Sequence, residues 1–589
     1  MDRRTFIRTG TLALVSGFVA PSLAGGKPWG EASADPFLMA KLVAANDLAI
    51  EGILSRGAAK PVVQYYRGLS GDFAVLAAGY CHPASAYHRA GALTEAMGRI
   101  LGLLLDLQYP NGTLDAEGNR FSPPDTAFLL ETLCPAAGLL GKAGDAVPAH
   151  IVGDLEKFLR NVGEALCTGG LHTVNHRWVV SAALARLFVL FGEQRYLDRA
   201  EQWLAEGIYI DEDGNFPERS RNYAAVEDQA FIHLAEILER PAYLDYVAQN
   251  LTANFYYLEP NGDLVCLDSR RQDQYRAISI YGYYRLYRYM ANRRQDGFFA
   301  AIARRIEHLP RFRESVLAGS LIHFMDNAVL SQNMPGDSPL PERYTHLFSA
   351  SQLARIRRGN ITATIFGGTD RPLIVASGRS TNPTFFTFRK GEAILEYARL
   401  STSFFNTGYF RSEGLNREGN SYLLRESRVA SYYHPLPAEQ RNPQGDYRLT
   451  ESTDGRFWSK MDFPSRPTTD LHLETAIKIS EDSGGFVLDV DVQGPANVEV
   501  TLVLCFRKGG IFKDINRGWE EDHYFLKGGM ATYTVGRDTI EIGPGAMAHT
   551  HVQGIDGEIY STHFGTLQGE GNHLYITGLV PFTHSLRIR

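Results

Sequence analysis

Apolar residues recur every three or four positions from Asp35 to about Leu317, the period of helices that bury one face. Ala90 to Leu107, Asp125 to Leu140, Val152 to Leu166, Arg177 to Phe191, Tyr196 to Ala205, Tyr223 to Leu238 and Tyr243 to Phe255 carry the pattern most clearly. The turns between them repeat a chemistry, because Asn111-Gly112-Thr113, Asp213-Gly214-Asn215 and Asn261-Gly262-Asp263 each follow a helix pair. A unit recurring roughly every 50 residues predicts stacked helical hairpins whose Gly-containing loops share a face. After about residue 343 the period falls to two, as in Ile361 to Phe366, Phe486 to Val492, Val498 to Leu504, Tyr533 to Val535 and Leu574 to Thr577. That alternation predicts an all-β second half, a large antiparallel sandwich. Pro335, Gly336, Pro339 and Pro341 mark the join, so the expected partition is an export signal over 1–24, a helical domain over 35–332 and a sandwich over 343–589.

Composition narrows the picture. A chain of 589 residues has room for two substantial cores. A formal net charge of -7, with 21% charged residues, provides no general cationic surface and argues against nucleic acid as a partner. Cys81, Cys134, Cys167, Cys266 and Cys505 are scattered and odd in number, so they specify neither a disulfide framework nor a zinc knuckle. At the start, Asp2-Arg3-Arg4-Thr5-Phe6-Ile7-Arg8 precedes an apolar run from Thr11 to Ala20 and then Pro21-Ser22-Leu23-Ala24, the order of an export signal. Its paired arginines resemble the twin-arginine type, which implies a periplasmic or secreted protein. The apolar run is too short to span a bilayer and no later segment reaches about 18 uninterrupted apolar residues, so no membrane insertion is expected once the signal is removed.

Three segments concentrate polar groups that a core tolerates only with partners. They are His172 to Trp178, Asp213 to Tyr223 and Asp268 to Gln272, each at or beside a predicted helix start. Asn175 is a candidate helix cap. Arg219, Arg221, Arg270, Arg271 and Arg276 read either as a solvated face or as a polyanion-gathering set, since the guanidinium fork suits carboxylates. Trp178, Tyr275 and Tyr281 read either as core or as stacking surfaces for sugar rings.

An Asn-His pair opening one helix, followed by Gly214-Asn215-Phe216-Pro217-Glu218-Arg219-Ser220 and Tyr223 opening a later one, resembles the heparinase II/III-like and alginate-lyase-like polysaccharide lyases. The spacing from Ser220 to Tyr223 is shorter than in those families. The resemblance implies an incomplete (α/α) toroid followed by a large antiparallel β-sandwich. It also implies cleavage of a uronic-acid-containing polysaccharide by β-elimination, leaving a 4,5-unsaturated uronate end. In such chemistry the uronate carboxylate must be neutralised before its C5 proton becomes removable, a task the resemblance gives to Asn175 and His176 with help from Arg177 or Arg219. Tyr223 is then the expected acid, or acid and base together, with His176 the second choice of base. The β-domain is expected to add a His or Tyr, for which Tyr432, Tyr433 and His434 are candidates.

Arg177, Arg219, Arg221, Arg270, Arg271, Trp178 and Tyr433 form the expected substrate-binding set. No cofactor is required. A structural divalent metal in the β-domain is compatible with the resemblance, but His434, His472, His523, His549, His551 and His563 show no ligand spacing, so none is assigned. Two other readings stay open. An (α/α)-barrel glycoside hydrolase would use two carboxylates from Glu218, Glu227, Asp228, Asp211 and Asp213. A non-catalytic glycan-binding protein would keep the arginines and aromatics and have no use for the Asn-His and Tyr set.

Overall fold

The structure, a computed structural model, describes residues 35–56, 66–116, 118–275, 277–370, 380–455, 457–552 and 569–589. The export signal expected over 1–24, Arg276 and His563 lie outside these residues.

The first half is helical, with Gly91–Leu107, Ala149–Thr168, Val174–Phe191, Gln194–Leu204, Arg221–Ile237 and Tyr243–Tyr257 falling where the periodicity predicts them. The predicted helix from Asp125 is split into Pro123–Ala127 and Leu130–Ala143. Helices also precede and follow this set, at Pro36–Arg56, Tyr66–Cys81, Tyr284–Arg294 and Gly297–Glu307. Neighbouring helices divide the work of burial. Val174–Phe191 hides residues on all sides, among them Val180, Leu184 and Leu187, whereas Gln194–Leu204 hides only Tyr196, Ala200 and Leu204, a single stripe at four-residue spacing. An inner helix paired with a one-faced outer helix is the repeating element of the (α/α) toroid. Val174–Phe191 is long and apolar enough to cross a membrane, and its burial as an inner helix accounts for that composition. At the turn Asn111-Gly112, a side chain on Gly112 would meet the Asn161 carbonyl oxygen at 1.9 Å, and φ is +83°, so only glycine fits.

The second half is an antiparallel β-sandwich. Its nine-stranded sheet runs, edge to edge, Asn516–Arg517, His523–Phe525, Gly571–Leu579, Glu499–Arg507, Ala393–Thr402, Phe386–Lys390, Ile361–Phe366, Leu353–Arg358 and Arg343–Phe348. One pairing in it, His523–Phe525 with Gly571–Leu579, is parallel. The eight-stranded sheet is built around Ser421–Tyr433, which pairs along its whole length with Thr468–Asp482. Phe386, Phe388, Leu400 and Leu504 from the first sheet meet Ile477, Leu488, Val490 and Leu586 from the second in one core. Each such side chain contributes roughly 1.5–3 kcal/mol by leaving water.

The opposite face of the nine-stranded sheet is polar and rich in arginine. Residues 252–280 cover it: Glu259 pairs with Arg355 at 2.9 Å and Asp263 lies 3.6 Å from Arg389. For this reason the chain does not divide in sequence order. One compact unit holds residues up to Tyr209, Ala225–Leu251 and Tyr281–Pro339, while the other holds Ile210–Ala224, Thr252–Ile280 and Leu340–Arg589. The five cysteines are all free thiols.

Candidate active site

In the helical unit, helix Val174–Phe191 is preceded by Thr173 in an extended conformation, which places Asn175 and His176 within the first turn. Asn175 is therefore past the capping position, and its amide donates to the Thr173 hydroxyl at 3.4 Å. It is fully buried, and His176 is nearly so. The His176 ring is held edge-on by His172, with centroids 4.8 Å apart, and by Phe128 at 5.9 Å. The first turn of a helix presents unpaired N–H groups and the positive end of the helix dipole, a setting suited to an anionic group.

In the other unit, a tightly tied loop delivers Tyr223. Asp211 accepts the backbone N–H groups of Asp213 and Asn215, and Gly214, with φ +85°, completes the turn. Asp213 accepts from the N–H groups of Ser349 and Ala350. Burial raises the carboxyl pKa of both Asp211 and Asp213 against these bonds. Ser220 caps helix Arg221–Ile237 by accepting the Tyr223 N–H at 3.1 Å, and its own hydroxyl donates to Asp273 at 2.9 Å. Asp273 also accepts from Ser269, so one carboxylate ties the start of the Tyr223 helix to the 269–275 turn.

That turn supplies the immediate surroundings of the phenol. Gln272 donates its side-chain amide to the Tyr223 hydroxyl oxygen at 2.8 Å. Arg271 Nε donates to Gln272 Oε1 at 3.4 Å, which agrees with this orientation of the amide. The Arg271 guanidinium stands 4.8 Å from the centre of the Tyr223 ring and is anchored by Glu218 at 3.0 Å. Because the phenolic oxygen accepts from Gln272, the Tyr223 O–H is directed elsewhere, as a proton donor to a ligand requires.

No protein-family model matches the sequence, and no curated protein matches it. Solved structures do. A heparinase III structure aligns over 89% of this chain and 74% of its own, at 12% identity and a TM-score of 0.50. A xanthan lyase from Paenibacillus aligns over 94% of this chain and 57% of its own, at 9% identity and a TM-score of 0.54. The chain has the fold of these polysaccharide lyases. Its (α/α) toroid and β-sandwich match theirs in architecture, and it spans little more than half the length of the xanthan lyase.

Several of the expected substrate contacts are engaged with partners inside the protein. Trp178 is 1% exposed and packs on Phe231 at 5.0 Å, so it is core and offers no platform for a sugar. Arg177 lies over the Trp178 ring and pairs with Glu206 at 2.8 Å. Arg221 is 1% exposed, lies 3.7 Å from the Tyr257 ring centre, and bonds Asn215 at 2.7 Å and Asp268 at 3.2 Å; it holds the loop from inside. Arg219, in a left-handed conformation with φ 48°, donates to the Ala350 carbonyl. Arg270 donates to both oxygens of Asp370 and to the Pro217 carbonyl. Burial would raise Asp370, but its bonds from Arg270 and Ser380 bring it below the usual carboxylate range.

The expected β-domain candidates Tyr432, Tyr433 and His434 lie at and just after the end of strand Ser421–Tyr433. His434 bonds Thr469 at 2.7 Å, and Tyr433 bonds Thr453 and packs on Phe463, all beside the 434–467 excursion of the eight-stranded sheet. The register Tyr433↔Thr468 closes that excursion. Sandwich groups bonded to the 211–223 and 269–275 segments include Ser349, Ala350, Asp370, Thr381 and Asn382. The residue that sequence reasoning left without a role is Gln272, although the segment Asp268 to Gln272 was visible as a polar cluster.

Three of the carboxylates of a hydrolase reading have internal tasks. Asp211 and Asp213 build the turn and Glu218 anchors Arg271. Asp228 is fully buried, neither of its oxygens has a hydrogen-bond partner among the described residues, and burial alone pushes its pKa well up. For a metal, Glu520, Asp522 and His523 are the one convergent group of His, Cys and acidic ligands found among the described residues. His523 lies 3.0 Å from Asp522 and 3.2 Å from Glu520, and Lys508 lies 3.6 Å from Asp522. His549 and His551 bond separately to Val500 and Glu499 and do not converge.

Proposed function

We propose that the chain is a polysaccharide lyase that cleaves a uronic-acid-containing polysaccharide by β-elimination. The observation that carries this reading is the setting of Tyr223, whose hydroxyl accepts from Gln272 while its ring faces the Arg271 guanidinium. The fold shared with heparinase III and xanthan lyase supports it.

In this reading a base takes the C5 proton of the uronate, the C5 electron pair forms the C4–C5 double bond, and the C4–O4 bond breaks. The departing O4 receives a proton from Tyr223. A deprotonated Tyr223 can first take the C5 proton and then return it to O4, so one residue serves both steps. Arg271 stabilises negative charge on the phenol. The uronate carboxylate falls to Asn175 and His176, whose position in a first helical turn favours an anion.

The test is to incubate the full chain with a panel of uronate polysaccharides and follow the ultraviolet absorbance of the unsaturated product. Absorbance should rise on at least one polymer and vanish in Tyr223→Phe and Asn175→Ala. New reducing ends without absorbance would show hydrolysis instead and overturn the proposal.

A further inference from the structure

The turn that reaches Tyr223 with Gln272 lines a cavity with its other residues. The Gln272–Tyr275 turn is a single 3-10 turn, about 6 Å long, and Gln274 and Tyr275 form part of the wall of a cavity of about 280 Å³. The cavity lies inside the sandwich-bearing unit. Glu259, residues 263–267, Gln274, Tyr275 and Ala277 form one side, and strands Ile361–Phe366, Phe386–Lys390, Ala393–Thr402 and Glu499–Arg507 form the other. Its size is just below the usual range of small-molecule sites, which run from about 300 Å³ upward.

Its charges are three guanidinium groups and four carboxylates, most of them engaged with partners. Arg389, Arg399 and Arg507 line it, and so do Glu259, Asp263, Glu396 and Glu570. Arg507 bonds both Glu396 and Asp263, Arg389 faces Asp263 at 3.6 Å, and Glu259 is held by Arg355 and by the Thr362 hydroxyl at 2.6 Å. Arg399 donates to Thr384 at 3.0 Å and stacks over the Tyr397 ring at 3.8 Å. An anionic group entering here meets at least as many carboxylates as guanidinium groups, and desolvating it gains no surplus of positive charge. An uncharged polyol fits better. Each of its hydroxyls both donates and accepts, and a wall of paired carboxylates and guanidinium groups offers fixed acceptors beside fixed donors. Thr387 adds a hydroxyl, and Leu264, Leu267 and Ile394 add surface for the apolar C–H faces of a ring.

We propose that this cavity binds a neutral sugar residue. Resting on the lyase reading, it makes the substrate a heteropolysaccharide that contains uncharged sugars as well as uronate, and not an all-uronate polymer. The neutral ring is recognised beside the turn that holds Tyr223.

The test uses the full-length Tyr223→Phe chain and ligand-observed NMR with the methyl glycosides of glucose, galactose and mannose, and with a methyl glucuronide. At least one neutral glycoside should bind and the glucuronide should not. Thr387→Ile, which fills the cavity, should abolish the signal, and the gentler Thr387→Val should weaken it several-fold, with the unfolding temperature checked for both. Binding of the glucuronide alone, binding unaffected by both Thr387 variants, or no binding of any neutral glycoside overturns the proposal. If the lyase reading fails instead, the ultraviolet assay stays silent while the neutral glycoside still binds.

Discussion

Gln272 donates its amide to the hydroxyl of Tyr223 at 2.8 Å, although the two residues are 49 positions apart in the chain. The bond orients the phenol and strengthens as negative charge grows on its oxygen. Replacing Gln272 with Leu should lower kcat on the best-cleaved polysaccharide by about 10- to 100-fold, the loss expected for a hydrogen bond to a charged group of roughly 1.5–3 kcal/mol. KM should move far less. Initial rates by ultraviolet absorbance decide it, and an unchanged kcat would remove Gln272 from the catalytic setting.

Arg221 should matter for stability more than for binding. Arg221→Met leaves Asp268 buried and uncompensated, a change that costs roughly 3–5 kcal/mol. Arg221→Lys should not restore the loss, because an ammonium cannot reach Asn215 and Asp268 together while stacking on Tyr257. Denaturant unfolding checks both variants.

Asp228 predicts a pH dependence with a definite sign. Burial raises its pKa in the folded chain, so folding holds a proton that the unfolded carboxyl releases above about pH 3.9. Its contribution is fully present below that pH and is lost as pH rises through the folded value. Asp228→Asn, which cannot ionise, should therefore show a smaller fall in unfolding temperature between about pH 4 and about pH 7 than the parent chain. Equal slopes in the two proteins would contradict this.

His434 should prove dispensable. It is exposed and bonds Thr469, and a substitution in such a place moves energies by about 0.5 kcal/mol or less. His434→Ala should keep activity within about twofold of the parent, and a loss beyond tenfold would return His434 to the site.

The order of helical and strand halves was legible because helices and strands repeat their apolar positions with different periods, and the strand Ile361–Phe366 has the bounds of its alternating run although its threonine face is buried as well. The polar clusters around Asn175, Tyr223 and Asp268 to Gln272 were equally visible. What the chain could not disclose was which arginines face inward. Arg221 and Arg271 occupy the same kind of segment, yet one is sealed against Tyr257 and the other stands over Tyr223, a difference set by partners 36 and 48 positions away in the sequence. Trp178 illustrates the same limit, since a helix start is consistent with either a groove or a core until the neighbouring Phe231 is located.

The division of the chain into interleaved units has a practical outcome for anyone dissecting it by truncation. A fragment ending at Pro339 would retain every residue from the Asn-His pair through Tyr223 and Gln272, but would forfeit the Ser349 and Ala350 amides that grip Asp213, the Ala350 carbonyl that takes Arg219, and the carboxylate of Asp370 that clasps Arg270. Domain borders drawn at the change from helix to strand would thus cut the scaffold away from the very loop it supports.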